Sequence, residues 1–381
     1  MRDRILHLAD LHLGDPHDYL GERASERRRE ADGLLGRIVD KVLMSKSRVG
    51  GVVIAGDLFE HYAPSPSLVE KVLASLGKLV GNGVELLTVP GNHDEYSYPT
   101  CVYRTFRDRW PGTLVTCPQP EQVATWTLGD TVIDLYAMAY VAGASRPPFD
   151  QFTVAKNDHF KVAVLHGSLD LQSNDRSIPL SSQSLQKRGL DYVALGHLHS
   201  PSERSLGKKG QAVYPGRIEG AGFRDPGGAP LLEVEFTNRG PILHREPISS
   251  RAIETHEVPL SACATLQDLD ARIERISEGR ADAIVRLALR GIPGFALDPD
   301  AFRARWSDRF YHLDVSLPGD DDGQLPQLDV LRDEPTVRGR FVRIALERIE
   351  QLDNERERRV AEMALREGLA AFGSGRSERS R

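Results

Sequence analysis

The 381-residue chain has few cysteines, and this scarcity limits the chemistry it can hold. Cys101, Cys117 and Cys263 lie far apart and form no CxxC pair, which argues against a disulfide framework and a structural zinc cluster. We interpret each cysteine as a small core residue in a reducing compartment. The expected localisation is therefore cytoplasmic.

Long apolar runs are also missing. No run of about 18 apolar residues occurs, so the sequence predicts no membrane span. The N-terminal segment MRDRILHLADLHLGD has only a few apolar residues before Asp10 and no small-residue cleavage site. These features argue against a secretory signal.

The chain has fewer basic than acidic residues. The net charge is −6, whereas proteins that contact nucleic-acid phosphates usually present basic surface. Residues 23–48 nevertheless contain eight Lys or Arg against four Asp or Glu. This stretch is either a solvated helix face or a ridge that follows phosphates. Arg27 and Arg28 are its candidate substrate-binding residues.

The first 247 residues alternate short apolar runs with helical stretches, which predicts a layered α/β architecture. Helices are predicted at 23–43 and 67–80. Strands are predicted at 5–9, 52–55, 84–89, 131–137, 161–165 and 192–195. Polar motifs lie just beyond the C-terminal ends of strands, where open α/β sheets place their sites.

The later part of the chain has a different pattern. A β-α-β-α-β succession without metal-type motifs predicts a small α/β cap domain at 248–318, followed by an acidic, turn-rich linker at 319–334. Apolar residues recur every three or four positions within 335–372, which predicts two helices. They form either a hairpin folded onto the cap or a docking surface for a partner's helices. The tail, 373–381, is expected to be disordered.

Five polar clusters need a joint explanation. Taken singly, their members would be turn caps, surface residues or satisfied core histidines. Together, beyond successive strands, they predict a site for two divalent ions, because carboxylate, imidazole and amide oxygen are suitable ligands. The clusters are Asp10-Leu11-His12, Gly56-Asp57, Gly91-Asn92-His93-Asp94, His166-Gly167 and Gly196-His197-Leu198-His199.

Each ligand type has an expected role. Asp10 and His12 are alternate residues of an extended segment, so they are expected to hold one ion together. Asp57 is expected to bridge both ions, because a carboxylate offers two oxygens. Asn92 supplies a neutral oxygen that keeps the site from becoming too anionic for a phosphate. Glycines before three of the clusters are expected to allow sharp turns beneath the metals.

The same residues predict a mechanism. Two cations about 4 Å apart would bind phosphate oxygens and acidify a bridging water that attacks phosphorus in line. His93 is the candidate for protonating the leaving oxygen, and Asp94 is expected to orient its imidazole. His61, close in sequence to Asp57, is a candidate for substrate binding. His7 lies within a strand and is expected to pack.

This motif set resembles the calcineurin-like metallophosphoesterase superfamily over residues 1–247, which implies a β-sandwich flanked by helices. Within that superfamily, the sequence is most similar to SbcD-type and YhaO-type DNA-repair nucleases. The segments that carry the resemblance are HLADLHLG (7–14), AGDLFEHYAPSPS (55–67), VPGNHD (89–94), LHGS (165–168), GHLHSP (196–201) and YPGRIEG (214–220).

The resemblance implies a division of the ligands and an activating metal. One ion is assigned to Asp10, His12, Asp57 and His199. The other is assigned to Asp57, Asn92, His166 and His197. His93 becomes the catalytic histidine, and manganese is the usual ion of the family. Many relatives have a histidine directly after GDLF, whereas this chain has Glu60 followed by His61, which leaves cleavage polarity open.

The resemblance also implies a function. We expect a dinuclear-metal DNA exonuclease or endonuclease in DNA repair, homodimeric, with an SbcC-like or YhaN-like coiled-coil ATPase on its C-terminal helices. A small-molecule phosphodiesterase or phosphatase would share every metal ligand, but it has little use for the cap and tail. A DNA-end-binding scaffold with little catalysis need not retain His93.

Overall fold

The computed structural model describes residues 2–44, 46–142, 152–171, 176–291, 293, 295–316, 332, 336–352 and 354–374, and the structural statements below concern these residues. The chain divides into two compact units, Met1–Ile253 and Glu254–Arg381. None of the described helices is both long and apolar enough to cross a membrane.

The first unit is built mainly from strands, with helices between them. Its strands are β1 Arg4–Leu8, β2 Val49–Ala55, β3 Glu85–Val89, β4 Thr113–Leu114, β5 Glu121–Leu128, β6 Thr131–Ala137, β7 Phe160–His166, β8 Ser168–Leu169, β9 Pro179–Leu180, β10 Tyr192–Gly196, β11 Ser202–Ser205, β12 Gln211–Tyr214, β13 Glu219–Gly222, β14 Asp225–Gly227, β15 Leu231–Thr237 and β16 Gly240–Glu246. Its α-helices are α1 Ala24–Asp32, α2 Leu34–Leu43, α3 Pro66–Gly81, α4 Val102–Thr105 and α5 Ser182–Gln186.

Two six-stranded sheets form the centre of this unit. The first has the order β16-β15-β1-β2-β3-β4, and the second has the order β11-β12-β10-β7-β6-β5. Strands β1, β2 and β3 are parallel neighbours, as are β6, β7 and β10. Their carboxyl ends therefore lie along one edge of each sheet, where loops can build a shared site.

Alternating side chains of each strand supply different cores, because successive residues of a strand face opposite sides. Ile5 lies in a core between the sheets that also contains Ile133 and Val162 of the second sheet. Leu6 lies in a core on the outer face of the first sheet, together with helix residues such as Ile38. The predicted sandwich with flanking helices is confirmed.

Most predicted elements of the first unit are present, with shifted ends. The exception is the helix predicted at 23–43, which is interrupted at Gly33 into α1 and α2. The unpredicted strands are β4, β5, β8, β9, β11, β12, β13, β14, β15 and β16. Several of them contain many exposed residues, so they lack the continuous apolar run of a buried parallel strand.

The second unit contains a three-stranded sheet and four α-helices among its described residues. The elements are β17 Ile253–Pro259, α6 Leu266–Ser277, β18 Ile284–Arg290, α7 Pro299–Trp306, β19 His312–Ser316, α8 Val337–Glu350 and α9 Glu355–Ser374. The sheet order is β17-β18-β19, with β18 and β19 parallel. Helices α8 and α9 pack together through Val342, Ile349 and Leu365.

The predicted domain boundaries can be compared only in part with the structure. The division between the two compact units falls after Ile253, six residues beyond the predicted boundary at 247. The separation of a cap at 248–318 from helices at 335–372 stays a prediction. Of the linker at 319–334, only Arg332 is described. Of the tail at 373–381, only Gly373 and Ser374 are described, and they end α9.

Candidate metal centre

Loops from both sheets bring the predicted ligands together. Asp10 and His12 follow β1, Asp57 follows β2, and Asn92 follows β3 of the first sheet. His166 ends β7, and the segment of His197 and His199 follows β10 of the second sheet. The site thus lies at the common carboxyl edge of the strands. All seven predicted ligands take part in two adjoining groups.

The first group contains Asp10, His12 and His199, whose ligand atoms all lie within 4.8 Å of one another. The Nε2 atoms of His12 and His199 are 3.0 Å apart. Two imidazole nitrogens that face each other at this distance, beside a buried carboxylate, fit ligation of one cation.

The second group lies around Asn92. Its Oδ1 atom is 2.8 Å from Nε2 of His166 and 3.0 Å from Nδ1 of His197. Asp10, Asp57 and His166 also offer ligand atoms within 4.8 Å of one another, next to this position. Amide oxygen, imidazole and carboxylate fit a borderline-hard divalent cation.

Asp57 lies between the two groups. Its Oδ2 atom is 3.3 Å from Nε2 of His166 and 3.8 Å from Nε2 of His12. Its Oδ1 atom accepts a hydrogen bond of 2.9 Å from the backbone N–H of His93. The arrangement supports Asp57 as the residue that both groups would share, with Oδ2 facing a histidine of each group and Oδ1 accepting from the backbone.

The backbone beneath the ligands is strained. Asp10, His12, Asp57 and His197 have φ angles of 54°, 45°, 50° and 106°, a region that non-glycine residues seldom adopt. Asp10 and His12 therefore do not converge as alternate residues of an extended segment, and that explanation was wrong. Their left-handed turns direct both side chains inward.

The glycines beside the ligands have two different roles. Gly56 has a φ of 87°, so it makes the predicted sharp turn before Asp57. Gly91 instead permits a close approach, because a Cβ there would lie 2.2 Å from Oδ1 of Asp57. A Cβ at Gly196 would lie 2.0 Å from the carbonyl oxygen of Ala55. The sharp-turn explanation is therefore confirmed only at Gly56.

Three of the histidines have their outer nitrogen fixed by an oxygen. Nδ1 of His12 lies 2.7 Å from Oε2 of Glu60, and Nδ1 of His199 lies 2.7 Å from Oδ2 of Asp225. Nδ1 of His166 lies 2.9 Å from the carbonyl oxygen of Ala55. With the proton held at Nδ1, each Nε2 presents its lone pair to the centre, as metal-ligating histidines do.

The buried charges explain why this pocket attracts cations. Burial alone would raise the pKa of Asp57, but His166 holds the pKa of that carboxyl well below its usual range. Burial opposes protonation of His166, yet Asp57 and Asp10 raise its pKa to about 9. Divalent cations favour the neutral imidazole and the ionised carboxylate, so the residues fit metal ions in place of the proton.

Comparison with known proteins agrees with this geometry. Residues 3–201 match the family model described as calcineurin-like phosphoesterase. The chain belongs to the calcineurin-like phosphoesterase family. It is therefore a metal-dependent phosphoesterase, and divalent metals are its cofactors.

Several curated proteins are similar to this phosphoesterase. The uncharacterized metallophosphoesterase YhaO of Bacillus subtilis is 24% identical, over 75% of this chain and 71% of YhaO. The DNA double-strand break repair protein Mre11 of Haloferax volcanii is 26% identical, over 84% of this chain and 69% of the relative. Mre11 of Aeropyrum pernix is 27% identical, over 65% of this chain and 61% of the relative.

The phosphoesterase orients His93 differently from the prediction. Nδ1 of His93 lies 3.1 Å from the carbonyl oxygen of Glu60 and 3.4 Å from its Oε1. The hydrogen bond to Glu60 raises the pKa of His93 to about 9. Both oxygens of Asp94 instead accept bonds from elsewhere, namely from the Gly91 N–H, the Phe59 N–H and the Tyr103 hydroxyl. Glu60 thus has the orienting contact predicted for Asp94.

The two arginines proposed for substrate binding are in different environments. Arg27 is 0% exposed, and its guanidinium donates to Glu219 at 2.7 Å. It therefore cannot follow phosphates on the surface, and that prediction was wrong. Arg28 is exposed on α1 and donates to the carbonyl oxygen of Pro16.

The structure also places the other singled-out histidines. His7 packs as predicted, with Nδ1 2.8 Å from the Tyr192 hydroxyl and Nε2 3.2 Å from the Leu195 carbonyl oxygen. His61 is exposed in the loop that follows Glu60, where its Nδ1 accepts from the Ala63 N–H. Its substrate role stays a prediction.

A buried charge network behind the centre was missed. Arg217 donates to Oδ2 of Asp225 at 3.3 Å and to Oδ2 of Asp15 at 2.5 Å, so it holds the carboxylate that fixes His199. Arg217 lies within YPGRIEG, which carried a resemblance but no assigned chemistry. Arg217 and Glu219 are the two charged residues of this otherwise uncharged segment, and this pattern could have indicated a buried ion-pair network.

Proposed function

We propose that this phosphoesterase is a manganese-dependent DNA nuclease of double-strand-break repair. The observation that carries the proposal is the pair of ligand groups sharing Asp57, since two adjacent cations suit in-line cleavage of a phosphodiester. Its similarity to the proteins named Mre11 supports DNA as the substrate class.

The residues of the centre have distinct parts in this chemistry. Divalent cations held there supply Lewis acidity to the phosphate oxygens and to the attacking water. His93 keeps Nδ1 against Glu60, which leaves Nε2 as the nitrogen available to the leaving oxygen. Asn92 contributes an uncharged ligand oxygen, which limits the negative charge that an incoming phosphate meets.

The substrate would approach over an exposed part of the first unit. Arg28 and Arg29 are exposed on α1 and offer positive charge despite the net charge of −6. We assign phosphate contact to Arg28. Because such contacts are electrostatic, DNA binding should weaken as salt concentration rises.

Helices α8 and α9 support the proposed partner. Their contact buries Val342, Ile349 and Leu365, yet Val337 is 77% exposed and Val360 is 61% exposed. Apolar side chains left in water on paired helices suit a helical partner. We propose that an SbcC-like or YhaN-like coiled-coil ATPase docks here, and the homodimer belongs to the same proposal.

One set of assays tests the proposal. The purified protein, with manganese and with or without the candidate ATPase, is offered labelled hairpin, single-stranded and duplex DNA, and separately bis-p-nitrophenyl phosphate. Cleavage of DNA is expected. Turnover of the small ester without cleavage of any DNA would indicate a small-molecule phosphodiesterase, and DNA binding without any turnover would indicate a scaffold.

A histidine pair tests the catalytic assignment. His93→Ala should abolish turnover while two metal ions per chain remain, as measured by elemental analysis. His159→Ala is the matched control, because that imidazole pairs with Asp134 next to the amino end of β7, opposite the ligand His166. Loss of metal together with activity in His93→Ala would make His93 a ligand or a structural residue.

A further inference from the structure

Three aromatic rings pack against one another in succession, on loops that also carry residues of the metal centre. The ring centroids of His61 and Tyr62 are 4.2 Å apart with an interplanar angle of 34°. Those of Tyr62 and Tyr98 are 4.2 Å apart with an angle of 26°. We call these three residues the aromatic stack. Neither the metal ligands nor the mechanism above uses it.

The aromatic stack is close to the reacting groups along the chain. His61 and Tyr62 directly follow Glu60, whose carboxylate contacts both His12 and His93. Because each residue spans at most about 3.6 Å, the backbone of Tyr62 lies within about 7 Å of that of Glu60. The third ring belongs to Tyr98, five residues after His93 in the loop beyond β3.

The aromatic stack is held in place by its backbone while its outer rings stay exposed. The carbonyl oxygen of Tyr62 accepts from the Val102 N–H at 2.8 Å, and that of Tyr98 accepts from the Cys101 N–H at 3.1 Å. Tyr98 is nevertheless 37% exposed, and His61 is exposed as well. Rings that served only to pack this loop would gain more by burial.

A positive charge lies next to the aromatic stack. The Arg176 guanidinium donates at 2.9 Å to the buried carboxylate of Glu95, which lies three residues before Tyr98 in the same loop. The Arg176 side chain is still 61% exposed. An anchored guanidinium beside exposed rings suits the phosphate that follows a stacked base.

We propose that the aromatic stack binds an unpaired nucleobase next to the scissile phosphate, with Arg176 at a neighbouring phosphate. The proposal rests on the nuclease function and names its substrate class. A base inside a duplex has both faces covered by its neighbours, so only a single-stranded or frayed end can offer a free face. The structure assigns cleavage near such unpaired nucleotides.

The test compares natural and abasic substrates. Single-stranded oligonucleotides carry either a normal base or an abasic residue at each position flanking the cut, and kcat/KM is measured with manganese. At the stacked position, the unaltered protein should lose about tenfold on the abasic substrate, because base–aromatic stacking contributes at this scale. Tyr98→Leu should cleave both substrates at the same reduced rate, whereas Tyr98→Phe should keep the discrimination.

Each outcome has a distinct meaning. Equal rates of the unaltered protein on abasic and normal substrates at every position would overturn the stacking proposal while leaving the nuclease intact. A Tyr98→Leu variant that still discriminates tenfold would also overturn it, since the ring would then be structural. Elemental analysis checks that each variant keeps its metal. No cleavage of any DNA by the unaltered protein would overturn the proposed function as well.

Discussion

Replacing Glu60 by glutamine tests the carboxylate that supports the centre. Glu60 places Oε2 2.7 Å from Nδ1 of His12 and Oε1 3.4 Å from Nδ1 of His93. Glu60→Gln keeps the shape of the side chain but removes its charge. The Nδ1 proton of His12 then loses its anionic acceptor, so Nε2 becomes a less basic ligand.

The expected loss of metal affinity can be estimated from the loss of the hydrogen bond between His12 and Glu60. Loss of an outer-shell partner typically lowers metal affinity by about 10- to 100-fold, which is about 1.4–2.7 kcal/mol. Because Glu60 also contacts His93, kcat should fall even at saturating manganese. Isothermal titration measures the affinity, and bis-p-nitrophenyl phosphate hydrolysis against manganese concentration measures the activation midpoint and kcat.

The matched control is Glu70→Gln. Glu70 forms a bidentate salt bridge with Arg109, at 2.7 and 2.6 Å, on the exposed side of α3. The same substitution there therefore removes a surface ion pair. Such pairs contribute little, and metal binding should be unchanged. If Glu60→Gln is activated at the same manganese concentration as Glu70→Gln, with the same kcat, the supporting role of Glu60 is refuted.

Three further changes test other parts of the first unit. Gly91→Ala should lower stability by about 1–3 kcal/mol and weaken metal binding, because its Cβ would lie 2.2 Å from Oδ1 of Asp57; calorimetry measures both. Arg27→Met should cost about 3 kcal/mol in urea unfolding, because it leaves a buried carboxylate short of a partner. Burial lowers the pKa of His7 from 6.5 to about 3. As the pH falls, the His7 imidazole is protonated in the unfolded chain before it is protonated in the folded protein. The free energy of unfolding therefore falls as pH drops below 6.5, by about 2 kcal/mol at pH 5. His7→Gln should remove this part of the pH dependence in metal-free protein.

Controls make these three results specific. Gly77→Ala is an exposed helix position with nothing within 4 Å of the new Cβ, so it should stabilise the protein by about 0.5–1 kcal/mol. Arg28→Met should leave stability within about 0.5 kcal/mol. If the Arg27→Met variant is as stable as the unaltered protein but binds DNA more weakly, Arg27 contacts the substrate after all. An unchanged pH slope in His7→Gln would mean that other groups set it.

Much of the fold could be read from local pattern. Buried parallel strands such as β2 and β7 are continuous apolar runs, and helices such as α6 carry apolar residues at helical spacing, so their positions could be predicted within a few residues. Strands with many exposed residues, such as β5 and β11, lack that signal. Their pairing depends on partners far along the chain.

The sequence by itself determined the chemical types at the site and their placement after strand ends. Carboxylate, imidazole and amide groups that recur at the carboxyl ends of strands have to meet wherever parallel strands align. Asp10, Asp57 and Asn92 could therefore be assigned without coordinates. Spacing alone also showed which histidine, His7, lies inside a strand.

Only the tertiary structure decided what each side chain faces. The sequence does not reveal whether a charged residue is buried, so the same role was predicted for Arg27 and Arg28. In the structure, Arg27 is buried against Glu219, whereas Arg28 is exposed to solvent. The supporting carboxylate of His93 likewise could not be chosen by adjacency. Asp94 is next in sequence but is taken up by other donors, whereas Glu60 reaches the imidazole from another loop. Such contacts depend on loop geometry, including the left-handed turns at the ligands, which short-range pattern does not encode.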